Sequence, residues 1–134
     1  LVGEKDGIRV YNDNNATTPE ATIAALRALD SGSKNIVLVA GGADKDLDIT
    51  DLVVEAKARC KRVVLLAGTG SERLRHELPE AQIFDSLESA VAKARALATA
   101  GDIILFSPAF ASFGMFANEY ERNDQFLASV SNIT

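Results

Sequence analysis

Three apolar runs of strand length constrain the fold of this chain more than any other feature. They are NIVLVA (35–40), RVVLLA (62–67) and DIILFSPA (102–109). Each run is continuous rather than alternating, which is typical of a strand that is buried on both faces of a parallel sheet. Segments with helical spacing of apolar residues separate the runs. The chain is therefore predicted to consist of β–α–β units with right-handed crossovers.

The remaining segments complete an α/β pattern. The N-terminal LVGEKDGIRVY (1–11) predicts a hairpin whose turn is at Asp6-Gly7, and AQIFD (81–85) predicts a weaker strand. Helices are predicted from Thr18 to Ser31-Gly32, at 48–59, at 71–78, from Ser86 to Gly101, and from about 115 to 130. We therefore predict one domain over residues 1–134, with a Rossmann-like open, mainly parallel sheet, an antiparallel edge hairpin, and helices on both faces.

Composition and charge exclude several classes of function. A chain of 134 residues is long enough for one independent core. Its net charge of −5 argues against nucleic acid or an anionic membrane as the main partner. The sequence contains no transmembrane-length apolar stretch and no signal-peptide pattern, and its single cysteine excludes a disulfide framework. We expect a cytoplasmic protein. Because Leu1 opens directly into a strand pattern, we also expect this chain to be a domain of a longer protein.

The sequence offers no evident catalytic group. One cysteine and one histidine, Cys60 and His76, cannot by themselves form a structural zinc site, and their surroundings do not suggest a nucleophile–base pair. Nor does the sequence present a paired-carboxylate set for acid–base chemistry. Taken alone, the domain is predicted to bind a ligand rather than to perform chemistry.

Three polar segments follow strands of the predicted sheet. We call them the first junction, NDNNATT (12–18), the second junction, GGADKD (41–46), and the third junction, SPAFASFG (107–114). In open α/β sheets, ligands bind at the carboxyl ends of the strands, where all three junctions would lie. The third junction is unusually crowded with small and hydroxyl-bearing residues.

Each junction also has a purely structural interpretation, in which its polar residues cap the next helix. The caps predicted on this basis are Thr17 or Thr18, Asp46 or Asp48, and Ser112, and Ser71 is predicted to cap the helix after GTGSE (68–72). The functional alternative for the second junction is that Lys45 binds a carboxylate as a point charge.

Together and in order, the three junctions resemble the C-terminal domain of the Mur ligases. NDNNATTPEATIAAL is similar to that family's N-D-S-K-A-T-N segment, and VAGGADKDLDI to its G-G-x-D-K-G-x-D-F segment. LFSPAFASFGMFANEYERNDQF is similar to its S-P-A-x-A-S-F-D-x-F-K-N-x-x-x-R-G-x-x-F segment. The resemblance extends over essentially the whole chain, including the N-terminal hairpin.

The resemblance implies an ATP-dependent, amide-forming ligase of peptidoglycan precursor synthesis. The order and spacing are most similar in the member that adds D-glutamate to UDP-N-acetylmuramoyl-L-alanine. In the family, ATP phosphorylates the carboxylate of the UDP-sugar, and the amino acid then displaces phosphate. ATP and Mg are bound mainly by a central domain and UDP by an N-terminal domain. This chain would be the lid that presents the amino acid to the acyl phosphate, inactive alone and part of a monomer.

The resemblance also implies roles for individual residues. Asp13 matches a position that contacts the nucleotide near the ribose. Thr17, Lys45 and Ser112 match positions that hold the carboxylates of the amino acid, and Phe113 matches one whose backbone contributes. The resemblance implies neither a catalytic residue nor a metal ligand in this domain alone.

Five positions depart from the family segments. Lysines are replaced by Asn15 and Ala117, an aspartate by Gly114, an aromatic residue by Glu119, and a glycine by Asn123. The loss of two lysines removes positive charge from a site that would bind an anion. Two alternatives therefore stay open: a Mur-like ligase that adds a different amino acid, and a non-catalytic nucleotide- or metabolite-binding module.

Overall fold

The computed structural model describes residues 1–44, 46–112 and 116–133, apart from the side chain of Glu119. Six strands and five helices lie within this part of the chain. In order they are β1 (Gly3–Lys5), β2 (Ile8–Asn12), α1 (Pro19–Leu29), β3 (Ile36–Ala40), α2 (Thr50–Arg59), β4 (Cys60–Leu66), α3 (Thr69–Glu77), β5 (Gln82–Phe84), α4 (Leu87–Leu97), β6 (Ile103–Phe106) and α5 (Glu119–Ile133). None of the described helices is long and apolar enough to cross a membrane.

The strands form a single sheet in the order β1-β2-β6-β3-β4-β5. Only the β1–β2 hairpin is antiparallel, and the other neighbouring strands are parallel. The predicted open, mainly parallel sheet with an antiparallel edge hairpin is therefore confirmed. The last strand, β6, lies between β2 and β3, so that Phe106 is paired with Asn12 on one side and Val39 on the other. This order makes the carboxyl ends of β2, β6 and β3 immediate neighbours.

Helices cover both faces of the sheet, as predicted. On one face, α4 and α5 pack on alternate strand residues, and Phe106 stacks on Phe126 of α5 with ring centroids 4.4 Å apart. On the other face, α1, α2 and α3 pack on the intervening residues, such as Leu38 and Leu105. The central strands β3 and β6 contribute side chains to both cores, which explains their continuous apolar sequences.

The start of α1 follows the predicted capping pattern. Thr18 is the N-cap, and its Oγ1 accepts a hydrogen bond from the Ala21 N–H at 3.3 Å. Pro19 occupies the first helical position and Glu20 lies in the first turn, where each is favoured. Of the two candidates, Thr18 rather than Thr17 therefore caps the helix.

The predicted cap of α2 is wrong. The N-cap position belongs to Ile49, which provides no side-chain hydrogen bond. The Asp48 carboxylate, one position before the N-cap, instead accepts from the N–H of Thr50, the first residue of α2, at 2.9 Å. Asp46 lies in the left-handed region, with φ of 59°, and its N–H bonds to Asp44 Oδ1. Asp46 therefore belongs to the connecting loop, whereas Asp48 contacts the first N–H of the helix without occupying the N-cap position.

The caps predicted at Ser71 and Ser112 are also wrong. Ser71 is fully buried inside α3, and Gly68 is the N-cap of that helix. The last helix begins at residue 119, later than predicted, and Asn118 Oδ1 accepts from the Glu121 N–H at 2.9 Å. Ser112 therefore lies several residues upstream of the helix.

Strand β6 is shorter than the predicted run 102–109. It ends at Phe106 because the following residues leave the sheet: Pro108 has no N–H to donate, and Ala109 adopts a left-handed conformation with φ of 69°. The residues that follow the end of the strand form the third junction.

Candidate functional site

The third junction lies between the other two junctions at the carboxyl edge of the sheet. On one side, the Asp13 N–H donates to Phe106 O at 2.7 Å. On the other side, the Ser107 N–H donates to Val39 O at 3.1 Å. The sheet ladder thus continues for one residue beyond β2 and β6, and places the starts of the first and third junctions side by side.

Hydroxyl groups connect the first junction to the third. Ser107 Oγ donates to Asp13 Oδ2 at 2.8 Å and lies 2.9 Å from Thr22 Oγ1 on α1. Thr22 also bonds to Ser107 O, at 3.2 Å. Ser107 and Thr22 are fully buried, whereas Asp13 is half-buried. The buried hydroxyls therefore fix the orientation of a carboxylate that remains partly open to solvent.

Main-chain hydrogen bonds join the second junction to the third. The Gly41 N–H donates to Pro108 O at 2.9 Å, and the Ala43 N–H donates to Ala111 O at 3.0 Å. A Cβ atom on Gly42 would lie 2.3 Å from Ala111 O, so only glycine permits this approach. The glycine at position 42 is thus explained by close contact between the backbones of the second and third junctions.

The segment GTGSE (68–72) forms hydrogen bonds with the second junction. Ser71 Oγ accepts from the Gly42 N–H at 3.3 Å and donates to Leu66 O. The Gly70 N–H donates in turn to Gly42 O at 2.9 Å. Ser71 therefore fixes the loop that carries the second junction.

Arg122, on α5, is a fully buried residue of the site that the sequence analysis did not identify. Its Nε and Nη2 donate to Asn14 Oδ1 and Asn14 O, both at 2.7 Å, and its Nη1 donates to Phe110 O at 3.0 Å. The sequence does contain a signal for it. Arg122, Phe126 and Val130 recur every four residues on the buried face of α5, and an arginine on such a face requires internal hydrogen-bond partners.

The predicted binding residues that are described lie at one edge of the sheet. Asp13 and Thr17 are half-buried in the first junction, and Ser112 is buried at the end of the described part of the third junction. Lys45 and Phe113 lie outside the described residues.

Several departures from the family segments also have defined positions. Asn15 and Ala117 are exposed, whereas Gly114 lies outside the described residues. Asn123 is half-buried and accepts from Asn12 Nδ2 at 2.7 Å. Where the family segment has glycine, this chain therefore has a side chain that contacts the first junction.

The residues with nucleophile or metal chemistry lie elsewhere. Cys60 is buried at the start of β4, where burial raises the pKa of its thiol to about 12, and His76 is exposed on α3. Within residues 1–44, 46–112 and 116–133, no three His, Cys, Asp or Glu side chains form a group that could hold a metal ion. The described part of the site is thus a set of oriented carboxylate, hydroxyl, amide and guanidinium groups.

Comparisons with known proteins agree with the resemblance in the sequence. The chain is 48% identical over 141 residues to a UDP-N-acetylmuramoylalanine–D-glutamate ligase of Roseiflexus sp. (strain RS-1), a match that covers 100% of this chain and 30% of that protein. It is 43% identical to the protein of the same name from Treponema pallidum (strain Nichols), with coverage of 95% and 24%. The chain therefore spans less than a third of the length of these relatives.

A solved structure shares the fold. It is a domain from Haemophilus ducreyi 35000HP, whose description names a UDP-N-acetylmuramate:L-alanyl-gamma-D-glutamyl-medo-diaminopimelate ligase. The two chains superpose with a TM-score of 0.64 over 95% of each chain, at 20% sequence identity. The family model described as "Mur ligase, glutamate ligase domain" matches residues 1–110. Since this match covers most of the chain, the chain belongs to the Mur ligase family, as its glutamate ligase domain.

Proposed function

We propose that this chain is the C-terminal domain of an ATP-dependent ligase that joins D-glutamate to UDP-N-acetylmuramoyl-L-alanine in peptidoglycan precursor synthesis. The domain closes on a central ATPase domain and presents the amino group of D-glutamate to the acyl phosphate. In this proposal, the complete protein also has that central domain and an N-terminal UDP-binding domain, which is consistent with a chain that spans less than a third of its relatives' length. The complete protein is a cytoplasmic monomer without nucleic-acid or membrane partners.

The observation that carries this proposal is the meeting of three polar junctions at the ends of adjacent strands. Because β6 lies between β2 and β3, Asp13, Thr17 and the buried Ser112 lie at one edge of the sheet, although they come from distant parts of the sequence. Hydrogen bonds among the junctions hold these groups in a fixed arrangement before a ligand binds. Such preorganisation is what a domain needs in order to orient an amine, because orientation contributes to catalysis through proximity.

The binding roles are divided among individual residues of the junctions. Asp13, oriented by Ser107, contacts the nucleotide near its ribose, where a carboxylate accepts hydrogen bonds from hydroxyl groups. Thr17, Lys45, Ser112 and the backbone of Phe113 hold the two carboxylates of D-glutamate. Hydroxyls, an ammonium and main-chain N–H groups are suitable partners for a small dianion.

ATP and Mg are bound mainly outside this domain. At the described part of the junctions, Asp13 can take one hydroxyl-rich portion of the nucleotide, but no group of side chains fits a metal ion. The phosphoryl group that activates the UDP-sugar carboxylate is supplied by ATP in the central domain. The isolated 134 residues therefore have no ligase activity, and acceptor-dependent ADP release from them would contradict the proposal.

The decisive experiment is an acceptor screen with the full-length protein, UDP-N-acetylmuramoyl-L-alanine and ATP. D-Glutamate is expected to give the highest kcat/KM. A different preferred amino acid would identify a Mur-like ligase with another specificity, in line with the missing lysines at Asn15 and Ala117. If no amino acid supports ADP release, the domain is a non-catalytic binding module and the proposal is wrong.

A matched pair of lysine variants tests the amino-acid site. Lys45→Ala is expected to raise the KM for the acceptor roughly tenfold or more, through loss of a charge-assisted contact, and to change the KM for ATP far less. Lys57→Ala serves as control because Lys57 is exposed near the end of α2, on the opposite edge of the sheet. Equal acceptor KM values for the Lys45 variant and the unsubstituted protein would remove Lys45 from the site.

A further inference from the structure

We propose that Arg122 is a positioning residue that holds the first and third junctions, and with them the proposed contacts to the nucleotide and the amino acid, in one rigid unit. This inference rests on the proposed function, which assigns the ligands that the residues of the two junctions contact. Arg122 itself does not contact either ligand; it acts through the loops to which it is bonded.

The first part of the argument is the distribution of its hydrogen bonds. The guanidinium donates twice to Asn14, in the first junction, and once to Phe110 O, in the third junction. Asn14 directly follows Asp13, and Phe110 lies two residues before Ser112. One planar group thus connects the loop that carries the proposed nucleotide contact to the loop that carries a proposed amino-acid contact.

The second part is a neighbouring contact from the same helix. Asn123 accepts from Asn12 Nδ2 at 2.7 Å, and Asn12 Oδ1 accepts from the Asn14 N–H at 3.0 Å. Asp13 is therefore flanked by two asparagines, Asn12 and Asn14, that are bonded to consecutive residues of α5. Its backbone cannot shift without breaking one of these contacts.

The third part is the environment of the guanidinium. Arg122 is 0% exposed, and it lines the same crevice as Ser112, Gly41 and Gly42, which is too narrow for a water molecule. While the junctions keep this arrangement, no water molecule is available to replace the hydrogen bonds of Arg122, so their loss is not compensated by solvent. A lysine keeps the charge but lacks the planar fork of donors, so it cannot satisfy both loops in the same geometry.

The geometry also predicts which kinetic constants depend on Arg122. If both junctions lose their fixed positions, the KM values for ATP and for the acceptor amino acid rise together. The KM for the UDP-sugar remains unchanged, because that ligand is assigned to another domain. A residue that only stabilised the fold would lower the melting temperature and leave all three KM values of the folded protein unaltered.

The test uses Arg122→Lys in the full-length protein, assayed well below its melting temperature. We expect the ATP and acceptor KM values to rise roughly tenfold to a hundredfold, the range that small misplacements of binding groups produce. Arg95→Lys is the matched control, since Arg95 forms a 2.9 Å ion pair with Asp6 away from the junctions. Unchanged ATP and acceptor KM values in the folded Arg122→Lys variant would overturn the inference.

Two further variants keep the inference testable if Arg122→Lys fails to fold. Asn123→Ala removes only the half-buried contact to Asn12, and it is expected to raise both KM values roughly threefold, as loss of one neutral hydrogen bond does. Asn14→Ala is expected to raise the same two values, and its effect combined with Arg122→Lys should be smaller than the product of the single effects. Wild-type KM values in both asparagine variants would contradict the inference.

Hydrogen exchange separates this inference from the proposed function. If no acceptor supports ligation, the proposed ligase activity fails, but the effect on the junctions can still be measured. The amides of residues 13–16 and of Ala109 should then exchange faster in Arg122→Lys than in the unsubstituted protein or in Arg95→Lys. Identical exchange at these amides would overturn the positioning role independently of any activity.

Discussion

The two edges of the sheet use polar residues in opposite ways. At the carboxyl edge, the polar side chains of Ser71, Ser107 and Arg122 are each 0% exposed. Ser71 and Arg122 bond to loop backbone, and Ser107 bonds to the side chains of Asp13 and Thr22. At the amino edge, the ion pairs Arg27–Glu55 and Arg95–Asp6 lie near the surface, and Asp102 is the buried exception. The first arrangement fixes loop geometry because every lost contact leaves a buried group without its partner. The second tolerates movement, because water replaces a lost partner.

The ion pairs of the amino edge illustrate this tolerance. Arg27 contacts Glu55 at 2.7 Å although its side chain is 60% exposed, and Arg95 contacts an Asp6 side chain that is 63% exposed. Exposed pairs of this kind contribute about 0–1 kcal/mol each. Removal of a polar side chain is therefore expected to lower the stability of the fold more at the carboxyl edge than at the amino edge.

The largest expected effect is that of Gly42→Ala at the carboxyl edge, and Gly32→Ala at the amino edge is its comparison. In Gly42→Ala, the new Cβ would lie 2.3 Å from Ala111 O, a backbone atom of the third junction, and φ is 152°. We expect this overpacking to lower the free energy of unfolding by about 3 kcal/mol. In Gly32→Ala, between α1 and β3, the new Cβ would have no atom within 4 Å. Only the backbone strain at its φ of 86° remains, and it should lower the free energy of unfolding by about 1 kcal/mol.

Urea unfolding of both variants measures this difference. The carboxyl-edge variant should have the lower midpoint by a clear margin, with similar m-values for the two proteins. Equal midpoints would mean that the second and third junctions separate easily, and would remove the contrast between the two edges.

The sequence was sufficient to predict the elements of the fold but not their lateral order. The central strands were predictable because burial on both faces produces continuous apolar runs such as 35–40 and 102–109. The insertion of β6 between β2 and β3 was not, since apolar periodicity carries no information about which strands are neighbours. This order is what makes the three junctions adjacent rather than only located at the same edge.

The groups that organise the site were less predictable than the groups proposed to bind ligands. Asp13 and Thr17 could be proposed from the sequence because they lie within a segment similar to a known one. Ser71 and Ser112 were predicted to cap helices because their local context resembles caps. The actual partners of Ser71 are Gly42 and Leu66, and the former is 29 positions away, so no local pattern contains that contact.

The second prediction compares the same substitution at the two edges. Ser71→Ala removes the acceptor of the Gly42 N–H and the donor to Leu66 O, both in buried surroundings. We expect a loss of about 1–3 kcal/mol in the free energy of unfolding. Ser31→Ala removes only an exposed 3.1 Å contact with Ser33 Oγ and should change this free energy by less than about 0.5 kcal/mol. A Ser71 variant as stable as the Ser31 variant would show that the loop finds other partners.

The third and smallest effect concerns Glu55, at the amino edge, and depends on pH. Hydrogen bonds from Arg27 and Arg59 lower the pKa of the Glu55 carboxyl from 4.5 to about 2. Because the pKa is lower in the folded state, the ionised carboxylate stabilises the fold above its unfolded pKa, and this contribution is lost as the pH falls from 4.5 towards 2. Glu55→Gln should therefore be slightly less stable than the unsubstituted chain at pH 7, with the difference shrinking over that acidic range.

Urea unfolding at several pH values tests this prediction, and the arginine partner supplies the control. In an Arg27→Met background, the effect of Glu55→Gln at pH 7 should become smaller, because the main cause of the lowered pKa has been removed. Raising the ionic strength should also reduce the effect, since the Arg27 side chain of the pair is 60% exposed to solvent. A difference that stays constant from pH 7 to pH 2 would instead indicate that Glu55 contributes through packing, and the amino edge would then resemble the carboxyl edge more closely than its exposed ion pairs imply.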